Sequence, residues 1–264
     1  MTHHTGAATS LAQWVTAVVP VKSLAHAKSR LALPSQERRA VALAFAVDTI
    51  EALSACPLVG GVLVVTSDVV VVRRMQQLGV RVTPETGTGL AQALHDGIRV
   101  AATWRPGSGV AIVPADLPCL RPEDVTRLLA DRRSDEGAFV PDRSATGTTL
   151  VIHPPGSRVV ASYGPGSAAR HRDLGLHALT DAPLRARHDV DTLEDLRGAR
   201  LLGPGPETTA ALDALTAPRT GGVSVVAGGP ARDPDDAAHQ DPVEGLVGVL
   251  RDCVRQPVGE VVGE

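Results

Sequence analysis

The chain has 264 residues, enough for one large α/β domain or two small ones. Its apolar residues, 43% of the total, are mainly Ala, Val and Leu, while aromatics are only 2%, which argues against a base-stacking platform for single-stranded nucleic acid. The formal net charge of -3 offers no global attraction to a polyanion, so phosphate binding must rest on local clusters. Cys56, Cys119 and Cys253 are widely separated and form no CxxC, which indicates neither a disulfide framework nor a zinc site and fits a reducing cytoplasm. No run approaches the ~18 apolar residues of a membrane span, and residues 1–17 lack the pattern of a signal peptide.

Residues 1–14 read as a flexible start. Val15-Thr16-Ala17-Val18-Val19 predicts a first strand, ended by Pro20, which cannot donate to a ladder. The loop that follows carries Lys22, Lys28 and Arg30: two ammonium groups and one guanidinium fork, suited to polyphosphate. It is not a P-loop, because the GxxxxGK[ST] spacing is absent. Residues 35–56 place Val41, Leu43, Ala44, Val47, Ile50 and Leu53 at helical spacing, with Arg38, Arg39, Asp48 and Glu51 on the opposite side, and so predict a covering helix. A strand at 61–67, a helix at 68–78 stopped by Gly79 and a short strand at 80–82 come next. A turn-rich loop then opens a helix at 90–104, where backbone amides near Gly89 and Leu90 suit a base edge or a phosphate of a nucleotide.

Val110-Ala111-Ile112-Val113 is all apolar and reads as a central strand covered on both faces, and it runs into Pro114-Ala115-Asp116. Asp116 then either gathers a ligand beyond a strand end or caps the helix predicted from Pro122 to about residue 133. A strand at 137–140 leads through Pro141-Asp142-Arg143 to a bend in which Thr146, Thr148 and Thr149 would form a neutral anion cradle. Gly166-Ser167 predicts an N-cap whose helix aims its positive end at that cradle, with Arg170, His171 and Arg172 on its first turns. Residues 187–191 read as a short strand ending in acid, followed by a capping box of Thr192 and Asp195. Asp191 can thus be structural, while Asp189 can reach a cation shared with Asp116. Past Leu202, Gly203-Pro204-Gly205-Pro206 breaks the helix, residues 208–215 suit a further short helix, and 220–240 have the composition of a disordered segment, with only some helical spacing at 243–254. The alternation of strands and helices predicts a single three-layer α/β/α domain at 15–218 with a mainly parallel sheet, and a disordered tail at 219–264.

A cationic loop, two strand-end carboxylates and two oxyanion-friendly turns fit nucleotidyl transfer, in which an acceptor phosphate attacks the α-phosphate of a nucleoside triphosphate. Mg²⁺ prefers one or two carboxylates completed by phosphate and water. An already ionised phosphate nucleophile requires no general base, so the lack of a catalytic His or Cys is expected. Val19-Pro20-Val21-Lys22, Ala27-Lys28-Ser29-Arg30-Leu31, Ala115-Asp116-Leu117-Pro118, Pro141-Asp142-Arg143 with Gly147-Thr148, Tyr163-Gly164-Pro165-Gly166-Ser167 with Arg170-His171, and Asp189-Val190-Asp191-Thr192 together resemble one family. It is the 2-phospho-L-lactate or phosphoenolpyruvate guanylyltransferase family of coenzyme F-420 biosynthesis, and the resemblance covers about residues 15–202.

That resemblance implies a nucleotide-diphospho-sugar transferase fold of the GT-A, Rossmann-like type, GTP as donor and Mg²⁺ at Asp116 and Asp189. It also implies that Thr148, Gly164 and Ser167 hold the phosphorylated three-carbon acid, and that the product passes to a deazaflavin-linking transferase. Where the family usually has asparagine after Gly-Leu, this chain has Ala91 followed by Gln92. Competing expectations are a nucleotidyltransferase of the same fold acting on a sugar phosphate or the molybdenum cofactor, against which the missing LxGGxSxRMG start counts, and a catalytically silent nucleotide-binding protein. Neither a nucleic acid nor a membrane is expected as a partner.

Overall fold

The computed structural model describes residues 14–87, 89–131 and 136–217. All but residue 14 of the expected flexible start at 1–14, and the whole of the expected tail at 219–264 with the helical spacing at 243–254, lie outside the described residues. Among those described, one sheet contains β1 (Val15–Pro20), β2 (Val59–Val65), β3 (Arg81–Thr83), β4 (Gly109–Ile112), β5 (Ala138–Pro141), β6 (Thr148–His153) and β7 (His177–Ala178), in the order β3-β2-β1-β4-β6-β5-β7. The strands from β3 across to β4 are parallel, β6 runs antiparallel to both β4 and β5, and β7 is parallel to β5. This is the mainly parallel α/β sheet the alternation predicts.

The helices are α1 (Ser35–Ser54), α2 (Val69–Gln77), α3 (Leu90–Trp104), α4 (Pro122–Asp131), α5 (Ser167–Asp173), α6 (Leu193–Leu202) and α7 (Pro206–Thr216). Strand β1 is apolar almost throughout because both of its faces are covered. Val15, Ala17 and Val19 pack with residues of α1, α2 and α4, whereas Val18 packs with Ala93, Leu94 and Ala101 of α3. Helix α3 lies close on the sheet because position 97 is glycine: a Cβ there would meet Val18 Cγ1 at 2.5 Å and Val65 Cγ2 at 2.7 Å.

Two sequence expectations fail, each for a physical reason. On helix α1, Arg39 and Glu51 are exposed as expected, but Asp48 is not, because the helix is covered on a second side as well. Val41 and Phe45 join Leu196 and Ala199 of α6 and Leu212 of α7 in a third apolar cluster. Asp48, expected on the outer side, is only 4% exposed and accepts the backbone N–H groups of Glu207 at 3.1 Å and Thr208 at 2.8 Å, so that it caps α7 from a neighbouring helix. Residues 187–191 are not a strand. Their backbone is held instead by tertiary bonds: Val190 N–H donates to the Asp116 carbonyl at 3.1 Å, and Asp191 N–H donates to the Asp195 carboxylate at 3.2 Å.

The cationic loop after β1 is tied down by Asp68. That residue caps α2 through Val70 N–H and Val71 N–H, and its other oxygen accepts Leu24 N–H at 2.9 Å and the Ser23 hydroxyl at 3.3 Å. Among the described residues no helix is long and apolar enough to cross a membrane.

Candidate active site

The sheet directs every sequence-predicted site segment to one edge. Lys22, Lys28 and Arg30 follow the carboxyl end of β1, Gly89 and Leu90 follow β3, and Asp116 lies four residues past the end of β4. Because β6 is antiparallel and pairs Val151 with Ile112, its first residue, Thr148, lies at the Asp116 end of the sheet as well. The Tyr163 hydroxyl donates to the Ile112 carbonyl at 3.2 Å, which seats the 163–167 turn beside the same edge. Ligands gather at this edge in open α/β sheets.

At the centre stands Lys28. Its Nζ donates to Asp116 Oδ2 at 2.6 Å and to Asp191 Oδ1 at 2.7 Å. Only 11% of the Lys28 side chain is exposed. Burial disfavours its charge, but the attraction of Asp116 and Asp191 outweighs that and holds the ammonium above its usual range. Burial also works against the charge of Asp191, yet Lys28, with Arg30 and Lys22 adding their fields, holds that carboxyl below the ordinary range. Lys22 and Arg30 are exposed, facing the solvent from which a triphosphate would arrive.

Asp189 belongs to the same cluster. Burial, and then the neighbouring charge of Asp116, push its carboxyl up to about 7. Asp116 does not cap α4: the backbone N–H of Arg121 goes to Asp124 Oδ2, while Asp116 Oδ1 is buried without a partner. Asp191, which the sequence offers as structural, therefore joins the Lys28 cluster. Thr192 and Asp195 complete the capping box without it. The signal for it was present in Asp189-Val190-Asp191, since residues two apart on extended backbone share a side.

The acceptor side is built differently from the cradle expected. Thr149 is buried and donates to the Ala186 carbonyl at 2.6 Å, because adjacent residues of β6 point to opposite faces. Thr148 faces α5 and meets His171 Nδ1 at 2.9 Å. Gly164 has φ of 106° and Gly166 of 71°, positive values that a side chain would strain. Gly166 stands at the N-cap of α5 with no side-chain bond, and Ser167 is the first helical residue rather than the cap.

The cations of α5 are already engaged. Arg170 grips the Ser162, Tyr163 and Pro165 carbonyls at 3.1, 3.0 and 2.6 Å, Arg172 lies over the Phe139 ring at 5.6 Å, and His171 is fully buried. Burial, with the charge of Arg170 and the nearby His153 adding to it, pushes the His171 ring down to about 4, so that it is neutral. The acceptor turn consequently offers hydroxyls and backbone in place of free positive charge.

On the nucleotide side, Gly89 has φ of 92° and precedes the first turn of α3 with no side-chain cap. Asp96 accepts Thr86 N–H at 2.7 Å, and Gln92 Nε2 donates to the Thr86 hydroxyl and to Asp96, each at 3.1 Å. Gln92 thus serves the scaffold of the loop, next to Ala91.

This architecture, with a cation held between carboxylates at the carboxyl edge of the sheet, defines an α/β protein of nucleotidyltransferase type. A protein from Desulfovibrio desulfuricans G20, solved as a candidate nucleotide-diphospho-sugar transferase, has the same fold, with a TM-score of 0.58 over 76% of this chain and 94% of that one at 16% identity. The chain belongs to the family described as "Guanylyl transferase CofC like", whose pattern matches residues 15–217. A protein of Streptomyces scabiei named phosphoenolpyruvate guanylyltransferase is 45% identical over 214 residues, covering 78% of this chain and 99% of that protein. A Streptomyces coelicolor protein of the same name is 47% identical over 202 residues, covering 75% and 95%.

Proposed function

We propose that the protein transfers GMP from GTP to phosphoenolpyruvate, giving enolpyruvyl-diphospho-5'-guanosine and pyrophosphate. The observation that carries this reading is the juxtaposition of the Lys28 centre with a neutral acceptor turn on one sheet edge. The shared name of the Streptomyces relatives supports phosphoenolpyruvate over 2-phospho-L-lactate.

In this reading an acceptor phosphate oxygen attacks the α-phosphorus of GTP, and the bond from that phosphorus to the bridging oxygen of the leaving pyrophosphate breaks. Lys28, Lys22 and Arg30 hold the triphosphate and offset the repulsion between two anionic reactants. Gly89 and Leu90 offer the nucleotide the free amides of the first turn of α3. Thr148, Gly164 and Ser167 seat the acid. No side chain removes a proton, because the attacking phosphate is already ionised.

The residues present fit Mg²⁺. Asp116 keeps one oxygen buried and unpartnered, Asp189 carries the repulsion of two neighbouring carboxylates, and oxygen-only donors suit this ion. Asp116 and Asp189 would hold it. When bound, Mg²⁺ supplies neutralisation of triphosphate charge. The product would be consumed by a deazaflavin-linking transferase of coenzyme F-420 biosynthesis, in the cytoplasm.

Mass analysis after incubation with GTP, Mg²⁺ and each three-carbon acid tests the reading. The guanylylated phosphoenolpyruvate is expected with release of pyrophosphate, and a lactyl product alone would reassign the acceptor. Retained GTP binding with no pyrophosphate from either acid would instead favour a silent nucleotide-binding protein, and product from a sugar phosphate would favour the wider nucleotidyltransferase class.

A further inference from the structure

We propose that His171 is a positioning residue that fixes the Thr148 hydroxyl as a hydrogen-bond donor toward an oxyanion of the three-carbon acid; this rests on the acceptor site proposed above. The argument begins at Ser162. Its backbone N–H points at His171 Nε2 from 2.9 Å, and an N–H can only donate. Nε2 must therefore present its lone pair. In a neutral imidazole the proton then sits on Nδ1, which lies 2.9 Å from Thr148 Oγ1. Nδ1–H donates, and the Thr148 oxygen accepts.

A threonine hydroxyl has one hydrogen and two lone pairs. With one lone pair taken by His171, its hydrogen is turned away from the ring, and among the described residues the hydroxyl has no other partner. The hydrogen is left for a ligand at the turn formed by Gly164 and Ser167.

The Ser162 amide cannot easily turn aside to permit the other tautomer. Arg170 Nε donates to the Ser162 hydroxyl at 2.8 Å, and its guanidinium also holds the Ser162 and Tyr163 carbonyls. The imidazole itself is confined between Phe139, whose ring centre lies 5.4 Å away, and the Tyr163 ring at 5.8 Å in an edge-on arrangement. It is fully buried and held neutral. A protonated ring would turn an Nε2–H against the Ser162 N–H. Arg170 and His171 are thus both engaged within the protein. Together they set the polarity of one neutral donor.

Two readouts test this. In protein labelled with ¹⁵N histidine, a long-range proton–nitrogen spectrum, with the His171 signals identified by their loss in His171→Asn, should show the Nδ1–H tautomer. The Nε2–H tautomer would overturn the proposal. In kinetics, His171→Leu should raise KM for phosphoenolpyruvate about 10-fold, the size of one lost hydrogen bond to an anion, while KM for GTP stays within about twofold. His171→Asn, whose side-chain N–H can approach the place of Nδ1, should recover part of the loss. In a Thr148→Val background His171→Leu should add nothing, because its effect passes through that hydroxyl. Equal losses in both backgrounds, or an equal rise in KM for GTP, would show a merely structural residue and overturn the proposal. If wild-type protein made no guanylylated product, the proposed function would fail, whereas the tautomer measurement would still decide the orientation of Thr148.

Discussion

Lys28 holds a backbone conformation that its side chain disfavours. Its φ is 53°, in the left-handed region, and Ala32 at 52° repeats this on the far side of a single 3-10 turn. Left-handed backbone costs a non-glycine residue roughly 1–2 kcal/mol, and such strain persists where surroundings over-determine it, often at active sites. Here the anchor is the ion pair with Asp116 and Asp191. Lys28→Met and Lys28→Gly should both lose turnover by about 10² or more, yet the glycine variant should be more stable than the methionine variant by roughly 1 kcal/mol in denaturant titration. The reverse order would show that the turn is unstrained.

His171 makes a second prediction at this scale. Burial first, then Arg170 and His153, lower its folded pKa to about 4, against the ordinary histidine value of 6.5. Between those values the unfolded chain binds the extra proton, so stability should rise with pH from about 4 to 6.5 and stay flat above, at no more than about 1.4 kcal/mol per pH unit. His153, also lowered by burial, adds a slope of the same sign. Subtracting the curve of His171→Asn isolates the first residue, and an unchanged slope would refute its buried neutral state. The sequence marks the cations after β1 as candidates for polyphosphate. That Lys28 alone turns inward was not legible there, because its direction depends on carboxylates 88 and 163 residues away.

Helix α1 shows how an element can be correctly placed with one residue misassigned. Its helical spacing and the exposure of Arg39 and Glu51 follow from the pattern, whereas Asp48, on the same side by spacing, is buried. Only the packing of α7 makes Asp48 a cap: the helix starts at Pro206, and its Glu207 and Thr208 amides need an acceptor that Gly205, having no side chain, cannot provide. Gly205 must also stay small, since a Cβ there would run into the Asp48 carboxylate. Asp48→Ala should therefore cost about 1–2 kcal/mol, Asp48→Asn less, and Gly205→Ala about 1–3 kcal/mol by overpacking. In the double variant Asp48→Ala with Gly205→Ala, the steric cost should largely vanish, a non-additivity readable in chemical denaturation. Additive losses would mean that the two positions do not meet. Local pattern reported α1, β1 and α3 well because their periodicity is internal to each segment. Residues 187–191 misled because their extended backbone is fixed by Asp116 and Asp195 rather than by a sheet neighbour.

Across the whole molecule, the centre is assembled from segments that meet only in the folded chain. Lys28 follows β1, Asp116 follows β4, Thr148 opens β6 and Asp191 precedes α6, with Val190 N–H bonded to the Asp116 carbonyl to close the ring of contacts. A ligand that spans these segments binds the native state and has little purchase on the unfolded one, so its binding energy appears as stability. At about 100 times its Kd, GTP with Mg²⁺ should stabilise the protein by about 2.7 kcal/mol, a rise in Tm of about 5–10 °C for a domain of this size. Asp116→Asn removes a charge from the proposed cation site while keeping the shape of the side chain, and it relieves some of the repulsion on Asp189. The variant should thus be folded, with a Tm lowered by the loss of one partner of the buried Lys28, and should gain less than about 2 °C from GTP with Mg²⁺. GTP without the metal should help wild type little more than it helps the variant, since the cations Lys22, Lys28 and Arg30 are common to both. A full-sized shift in Asp116→Asn would place the triphosphate elsewhere, and would break the link between the Lys28 centre and the nucleotide.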